Sequence, residues 1–209
     1  MLNETKLDAA SERLRRAIQG DRESLETLLP SYIGYLKVLS RTQLDKRIQH
    51  RVSPSDLVQE TLLEAHRDFA KFQGTTIEEF TGWLRRILVH NLAQAVGTHM
   101  LAAKRDVRRE QVIENFSGAI DRSHLRLSAL LFDRRRTPAS EADHQESLTR
   151  MANALETLPS DYRQVIVLRH LDGLPFRLVA ERMQRTPGAA RMLWLRAIEQ
   201  LRLTMAINS

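Results

Sequence analysis

The sequence predicts an all-α protein: two small helical domains joined by a flexible linker, with a helix-turn-helix in the C-terminal one. Three observations carry that reading. Gly (8) and Pro (6) are scarce among 209 residues, while Arg, Glu, Leu, Ala and Gln, all helix formers, are abundant. Apolar residues recur at three- and four-residue intervals through most of the chain. Composition and periodicity both change after Phe116 and recover near Leu148.

From Leu7 to about Gln19 the pattern is that of a charged amphipathic helix ending near Gly20. Asp21 is placed to cap the next helix, in which Leu25, Leu28, Leu29, Ile33, Leu36 and Leu39 recur at helical spacing. Ser53-Pro54-Ser55 interrupts the pattern and opens the most regular helix, with Ser55 as cap and Val58, Leu62, Ala65, Phe69 and Phe72 as its buried stripe. Asp56, Glu60 and Glu64 lie one turn apart on a polar face. Gly74-Thr75-Thr76 reads as a loop. One or two helices follow from Glu78 to about Glu114, apolar at Phe80, Trp83, Leu84, Ile87, Leu88 and Leu92, with Gly97 a point where the helix breaks or flexes.

Residues 117–147 are weakly periodic and include Arg134-Arg135-Arg136 and Thr137-Pro138. They read as a linker with one short helix around Leu125 to Leu131, which divides the chain into domains 1–116 and 148–209. In the second domain Asp172-Gly173 stops one helix and Thr186-Pro187 starts another. The small pair Val179-Ala180 between them lets two helices cross closely. A helix-turn-helix that places its second helix in a DNA major groove needs this pattern, so nucleic acid is the first candidate partner.

Composition narrows the functional classes. The 32 Lys+Arg against 26 Asp+Glu give a net charge of +6, a mild preference for polyanions. Aromatic residues at 5% are too few for a protein that grips single strands by stacking many bases. Cys is absent, which excludes disulfides and thiolate metal sites and fits a reducing cytoplasm. No apolar run approaches spanning length and Met1-Leu2-Asn3-Glu4 has no signal-peptide pattern, so a cytoplasmic protein without membrane insertion is expected. The seven His include no pair at the one-turn spacing of a helical zinc site. No phosphate loop, serine elbow or carboxylate cluster is present either. No metal, cofactor or catalytic residue is expected.

Asp56-Leu57-Val58-Gln59-Glu60-Thr61, Phe72-Gln73-Gly74, Trp83-Leu84-Arg85-Arg86-Ile87 and the pattern from Leu158-Pro159 to Arg196-Ala197 together resemble an extracytoplasmic-function sigma factor. These small bacterial sigma factors keep only the region-two and region-four domains. The resemblance covers about Gly20 to Arg109 and Leu148 to Leu203. It implies a non-enzymatic subunit that binds core RNA polymerase and directs it to promoter DNA. Asp56, Gln59 and Glu60 would then offer acceptors to arginines of the polymerase clamp. Taken alone, they are also what a capped, solvated helix start looks like.

The resemblance further places minus-ten bases against Phe72, Gln73, Gly74 and Thr75, with His90 or Asn91 behind them as the hydrogen-bonding residue. A pocket for one extruded base needs an apolar wall, close backbone and one or two directional side chains. Phe72 is either that wall or core, whereas Phe80 and Trp83 read as core. Many members carry an Asp and paired Arg where this chain has Gln94, Gly97 and Thr98. Arg85, Arg86, Lys104, Arg105, Arg108 and Arg109 are the phosphate candidates. For the minus-thirty-five element the resemblance implies Arg185, Thr186, Gly188 and Ala189 at the helix entrance. Beyond it come Arg191, Arg196 and Met192 or Leu193 as base or phosphate contacts. Trp194, Ala197 and Leu201 read as core. Pro175 stands where a Ser or Thr cap is usual, and Gln184 where a turn Gly is common.

An anti-sigma protein, a kinase or the linker itself would be the regulator. The alternative function is a stand-alone helix-turn-helix regulator with an N-terminal sensor domain; a third is a helical enzyme fused to a DNA-binding module. A sensor has no use for the acidic helix and its loop, and the third reading lacks a catalytic cluster.

Overall fold

The computed structural model describes residues 4–44, 52–100, 107–131 and 141–207, and these are helical almost throughout, with no strand among them. Helix α1 (Glu4–Ile18) ends at Gly20, whose φ of +97° is the left-handed conformation a helix stop requires. Asp21 caps α2 (Arg22–Ser31) as expected, its Oδ1 accepting from the amides of Glu23 at 3.1 Å and Ser24 at 3.3 Å.

The leucine pattern from Leu25 to Leu39 forms two helices rather than one. Pro30 lacks the amide that would extend the ladder, and the chain turns at Tyr32 before α3 (Ile33–Gln43) begins. The turn re-aims the second helix. Ile33 is left exposed, while Gly34, Tyr35, Leu36, Val38, Leu39 and Ser40 are buried.

Helix α4 (Pro54–Asp68) is capped by Ser53, not Ser55: Ser53 Oγ accepts from the Ser55 amide at 3.1 Å, with Pro54 in the first turn. Its buried face is Leu57, Val58, Thr61 and Ala65. A 3₁₀ turn at Phe69–Lys71 leads into the loop before α5 (Ile77–Met100). Gly97 does not break α5, which continues to Met100.

The largest departure from the sequence reading is α6 (Val107–Leu131), which occupies the first half of the expected linker. Ile120 and Leu127 are fully buried, with Ile113, Phe116 and Leu130 packed beside the core. These five residues are spaced three, four, seven and three, a narrow apolar stripe that the intervening Ser, Gly and Arg conceal. Of the remaining linker residues, 141–147 form the first turns of the next helix, and 132–140 lie outside the described residues.

Helix α7 (Glu141–Thr157) packs mainly on α3 and also touches α1, α2, α5 and α6. One apolar cluster therefore runs from Leu14 through Tyr35 and Leu88 to Leu155 and Leu201. After α7 come α8 (Ser160–Ile166), a π turn at Val167–Leu171, α9 (Phe176–Arg182) and α10 (Pro187–Ile207). Gly173 at φ +70° turns the chain before α9, and Val179 and Ala180 are buried at the crossing.

If α6 is an integral core helix, Leu127→Ala should lower unfolding free energy by about 2–5 kcal/mol, the usual cost of emptying a buried leucine site. Urea denaturation of the full chain measures this. A change near zero would mean that α6 lies loosely on the surface.

Candidate nucleic-acid and partner interface

The buried face of α4 leaves Asp56, Gln59 and Glu60 together on its exposed side. They stand at i, i+3 and i+4, so all three point away from the core. Leu63, one turn further on and 72% exposed, continues the same stripe. Local sequence marked the polar members of this face but not Leu63.

Past the end of α4, Phe69, Phe72, Phe80 and Trp83 form an aromatic box. Phe72 lies 5.9 Å from Phe69, 5.6 Å from Phe80 and 5.3 Å from Trp83, centroid to centroid. Phe72 is thus half-buried packing, exposing only part of its ring. Gly74 is obligatory beside it, because a Cβ there would come within 2.5 Å of the Phe72 ring. The loop is held by a capping box. Glu79 Oε2 accepts from the amides of Thr75 (2.7 Å) and Thr76 (3.0 Å), and Thr76 Oγ1 accepts from the Glu79 amide at 3.2 Å. Those two amides hold the Glu79 carboxyl below its ordinary range. The Thr75 amide is consequently spent within the loop, while Gln73 is exposed.

Along α5 the candidates separate. Arg86 and His90 are exposed one turn apart. Asn91 is 4% exposed and its Nδ2 donates to Thr61 Oγ1 at 3.3 Å, so it belongs to the α4–α5 seam and leaves His90 as the outward residue. Arg85 is also turned inward. Its Nε lies 3.4 Å from Asp121 of α6, and its Nη1 donates to the Tyr35 hydroxyl at 3.4 Å. Tyr35 shares a second hydrogen bond with His124 Nδ1 at 2.9 Å. This polar knot ties α3, α5 and α6 together around an open cleft lined by Arg86, His90 and Asp121. Lys104 and Arg105 lie outside the described residues, as do the side chains of Arg108 and Arg109.

In the C-terminal half, the turn between α9 and α10 is made by Gln184 at φ +54°, a left-handed position where Gly is less strained. No side chain caps α9 at Pro175, so both departures noted in the sequence are real in the backbone. Thr186 caps α10 through its Oγ1, which accepts from the Ala189 amide at 3.2 Å. Ala190, Ala197 and Leu201 face the core, which leaves Gly188, Ala189, Arg191, Met192, Leu195 and Arg196 on the outer stripe.

Met192 is 52% exposed, whereas Leu193 packs against the core; Leu195, not singled out in the sequence, is 48% exposed. The Arg191 guanidinium sits 5.4 Å from the Phe176 ring centroid, and Arg169 approaches the same ring at 5.0 Å. Arg185 is paired with Asp161 at 2.5 Å in an exposed ion pair. Trp194 is half-buried against Phe176, its indole N–H donating to His170 Nε2 at 2.8 Å. Among the described residues no cluster of His, Asp or Glu has metal-binding geometry.

Residues 148–201 match the family Sigma-70, region 4. The ECF RNA polymerase sigma-E factor of Haemophilus influenzae is 27% identical over 189 residues, covering 90% of each chain. The ECF RNA polymerase sigma factor SigD of Mycobacterium bovis is 27% identical over 202 residues, 94% of this chain and 82% of that one. The RNA polymerase sigma factor CarQ of Myxococcus xanthus is 26% identical over 162 residues, 76% and 78% of the two chains.

The knot around Tyr35 carries a pH signature. Burial, with Arg85 and His144 nearby, pushes His124 down from the ordinary 6.5 to about 4. Between those values the unfolded chain binds a proton that the folded chain refuses. The stability contributed is complete above 6.5 and declines as pH falls toward 4. The urea midpoint should therefore drop on acidification from about pH 7 to about pH 5, and by less in His124→Gln. Equal drops in the two proteins would show that His124 is not held neutral.

Proposed function

We propose that the chain is an extracytoplasmic-function sigma factor whose separate faces divide the work. As a sigma factor it binds core RNA polymerase and directs it to promoter DNA for transcription initiation. The relatives match through both halves of the chain, which a sensor domain fused to a DNA-binding module would not explain.

We assign polymerase docking to Asp56, Gln59 and Glu60, because three exposed acceptors share one face of a helix whose other face is core. Arginines on the partner would meet them in charge-assisted hydrogen bonds. We assign minus-ten contacts to Gln73, the exposed edge of Phe72, Arg86 and His90. Asn91 is withdrawn from that set, and the Thr75 amide with it. Minus-thirty-five reading falls to the outer stripe of α10, with Gly188 and Ala189 allowing close approach to phosphate and Met192 offering an apolar contact for a thymine methyl. Arg185 would exchange Asp161 for phosphate.

The protein acts as a specificity subunit and carries no catalytic step of its own in this reading. No described helix is long and apolar enough to cross a membrane, and a subunit working with polymerase would act in the cytoplasm.

Reversing Asp56 and Glu60 together to Lys should abolish co-purification with core polymerase, since attraction becomes like-charge repulsion. Both are exposed, so thermal melting should be unchanged; a normally folded double variant that still co-purifies would overturn the docking assignment.

The two α10 arginines should separate. Arg191→Ala should cost about 1–3 kcal/mol and relax preference at one or two upstream positions, as loss of a base contact does. Arg196→Ala should weaken all promoters alike. Transcription from a promoter library randomised upstream measures both, with melting curves to register the lost Arg191–Phe176 contact. An unaltered base profile for Arg191→Ala would move specificity to Met192 and DNA shape.

A further inference from the structure

We propose that the groove between α6, α7 and the C-terminal end of α10 is a binding site for a small amphipathic anion. Its occupant is a medium-chain carboxylate, with the headgroup at Arg126 and Arg202 and the alkyl chain along the apolar floor. The groove has a volume of about 630 Å³, within the range of roughly 300–1,000 Å³ usual for small-ligand sites. Its floor is aliphatic and thioether: Leu130 from α6, Met151 from α7, and Ile198, Leu201 and Met205 from α10. Methionines, unbranched and polarisable, adapt readily to a flexible chain.

The polar lining is of one sign. Arg126, Arg202 and His170 stand at the groove, and no described Asp or Glu lines it. Backbone, rather than a carboxylate, holds Arg126 in place. Its Nη1 donates to the Leu171 carbonyl at 2.6 Å, and Gly173, at φ +70°, has no side chain to displace it. A Cβ on Gly173 would lie 3.1 Å from the guanidinium carbon. Asp172 is close enough to attract Arg126, yet its carboxylate pairs with Arg182 at 3.7 Å. A guanidinium carries five N–H donors, of which Leu171 takes one. The rest of the fork suits a carboxylate, which a guanidinium binds through two parallel hydrogen bonds.

The π turn at Val167–Leu171 supplies the third polar group. Its wide winding is closed by the Asp172 amide, which donates to the Val167 carbonyl at 3.0 Å, and it sets His170 against Trp194. Turns of this kind are frequent at functional positions. An indole N–H can only donate, so His170 Nε2 accepts from Trp194 at 2.8 Å and the imidazole proton sits on Nδ1. His170 thereby brings a further donor to the groove.

This site goes beyond promoter reading and stands whether or not the sigma-factor assignment holds. Its walls include α10, so an occupant would bear on the helix whose outer stripe carries the proposed promoter contacts.

The chain has two Trp, and Trp83→Phe leaves Trp194, at the groove, as the sole reporter. Sodium decanoate, kept below micelle formation, is titrated into the full-length free protein while Trp194 emission is followed. Calorimetry on the unsubstituted chain gives the same affinity independently. Decanoate should bind saturably and shift the emission to shorter wavelength as alkyl carbon replaces water. Octanoate should bind about tenfold more weakly, because two fewer methylenes are buried. Decanol and decyltrimethylammonium, equal in chain length, should also bind about tenfold more weakly, since neither offers the arginines a carboxylate. Arg126→Gln should weaken decanoate about tenfold and leave decanol unchanged. Ala129→Phe, at an exposed position on the groove, should block both, and it keeps the test in force if losing the Leu171 hydrogen bond disturbs the turn.

No saturable response to decanoate in either measurement, equal binding of decanol, or undiminished binding by Ala129→Phe overturns the site. So does sedimentation showing that the free chain forms a dimer that Ala129→Phe abolishes, because a second copy would then be the occupant.

Discussion

The enclosure of α3 is the constraint on which the rest of the structure depends. Six of its eleven residues are buried, and they occupy more than one side of the helix. A helix that is apolar around most of its circumference has no face to turn to water and has to be surrounded. Helices α4 and α5 cover one part of it, and α6 and α7 cover the rest. Because α7 opens the C-terminal half, enclosing α3 also joins the two halves through a common core. Tyr35, at the centre of α3, shows what that enclosure demands of a polar group. Its hydroxyl is fully buried, burial pushes it up to about 12, and it is satisfied by His124 from one cover and Arg85 from another.

This arrangement sorts the functional faces into those that are open and those that are covered. The outer sides of α4 and α10 lie away from the enclosure, and their charged residues remain available to partners. The side of α5 nearest α6 is different: Arg85 is drawn into the knot, while Arg86 and His90, on the cleft rim, remain exposed. The aromatic box and the Glu79 capping box hold the loop between α4 and α5 in one shape before any nucleic acid arrives. Under the proposed minus-ten role, such preorganisation would reduce the ordering cost of capturing a base.

Much of the site was legible because helical periodicity reports which way a side chain points. Asp56, Gln59 and Glu60 fall between the apolar positions of α4, and Arg191 and Met192 between those of α10, so both exposed stripes could be read directly. Adjacent residues on α5 were harder. His90 and Asn91 differ by one position, about 100° of rotation, and only the buried hydroxyl of Thr61 reveals that Asn91 turns inward. Arg85 and Arg86 divide for a similar reason, since Asp121 is thirty-six residues away in sequence. Leu63 and Leu195 passed unnoticed because a lone leucine in a helical run is taken for core.

The sequence by itself determined the helical class, the caps at Asp21 and Thr186, the turn glycine at Gly173 and the helix-turn-helix. Each of these rests on interactions spanning a few residues, where backbone hydrogen bonding and side-chain spacing suffice. It also carried the family resemblance, through motifs whose order survives without knowledge of contacts. Tertiary structure alone decided that Pro30 and Tyr32 split one leucine pattern into two helices. It alone lengthened the short helix expected around Leu125 to Leu131 into the core helix α6 and brought Asn153 onto the backbone at Gly34. Those outcomes depend on which surfaces α3 must be shielded by, and shielding is a property of the assembled core that no local window of sequence contains.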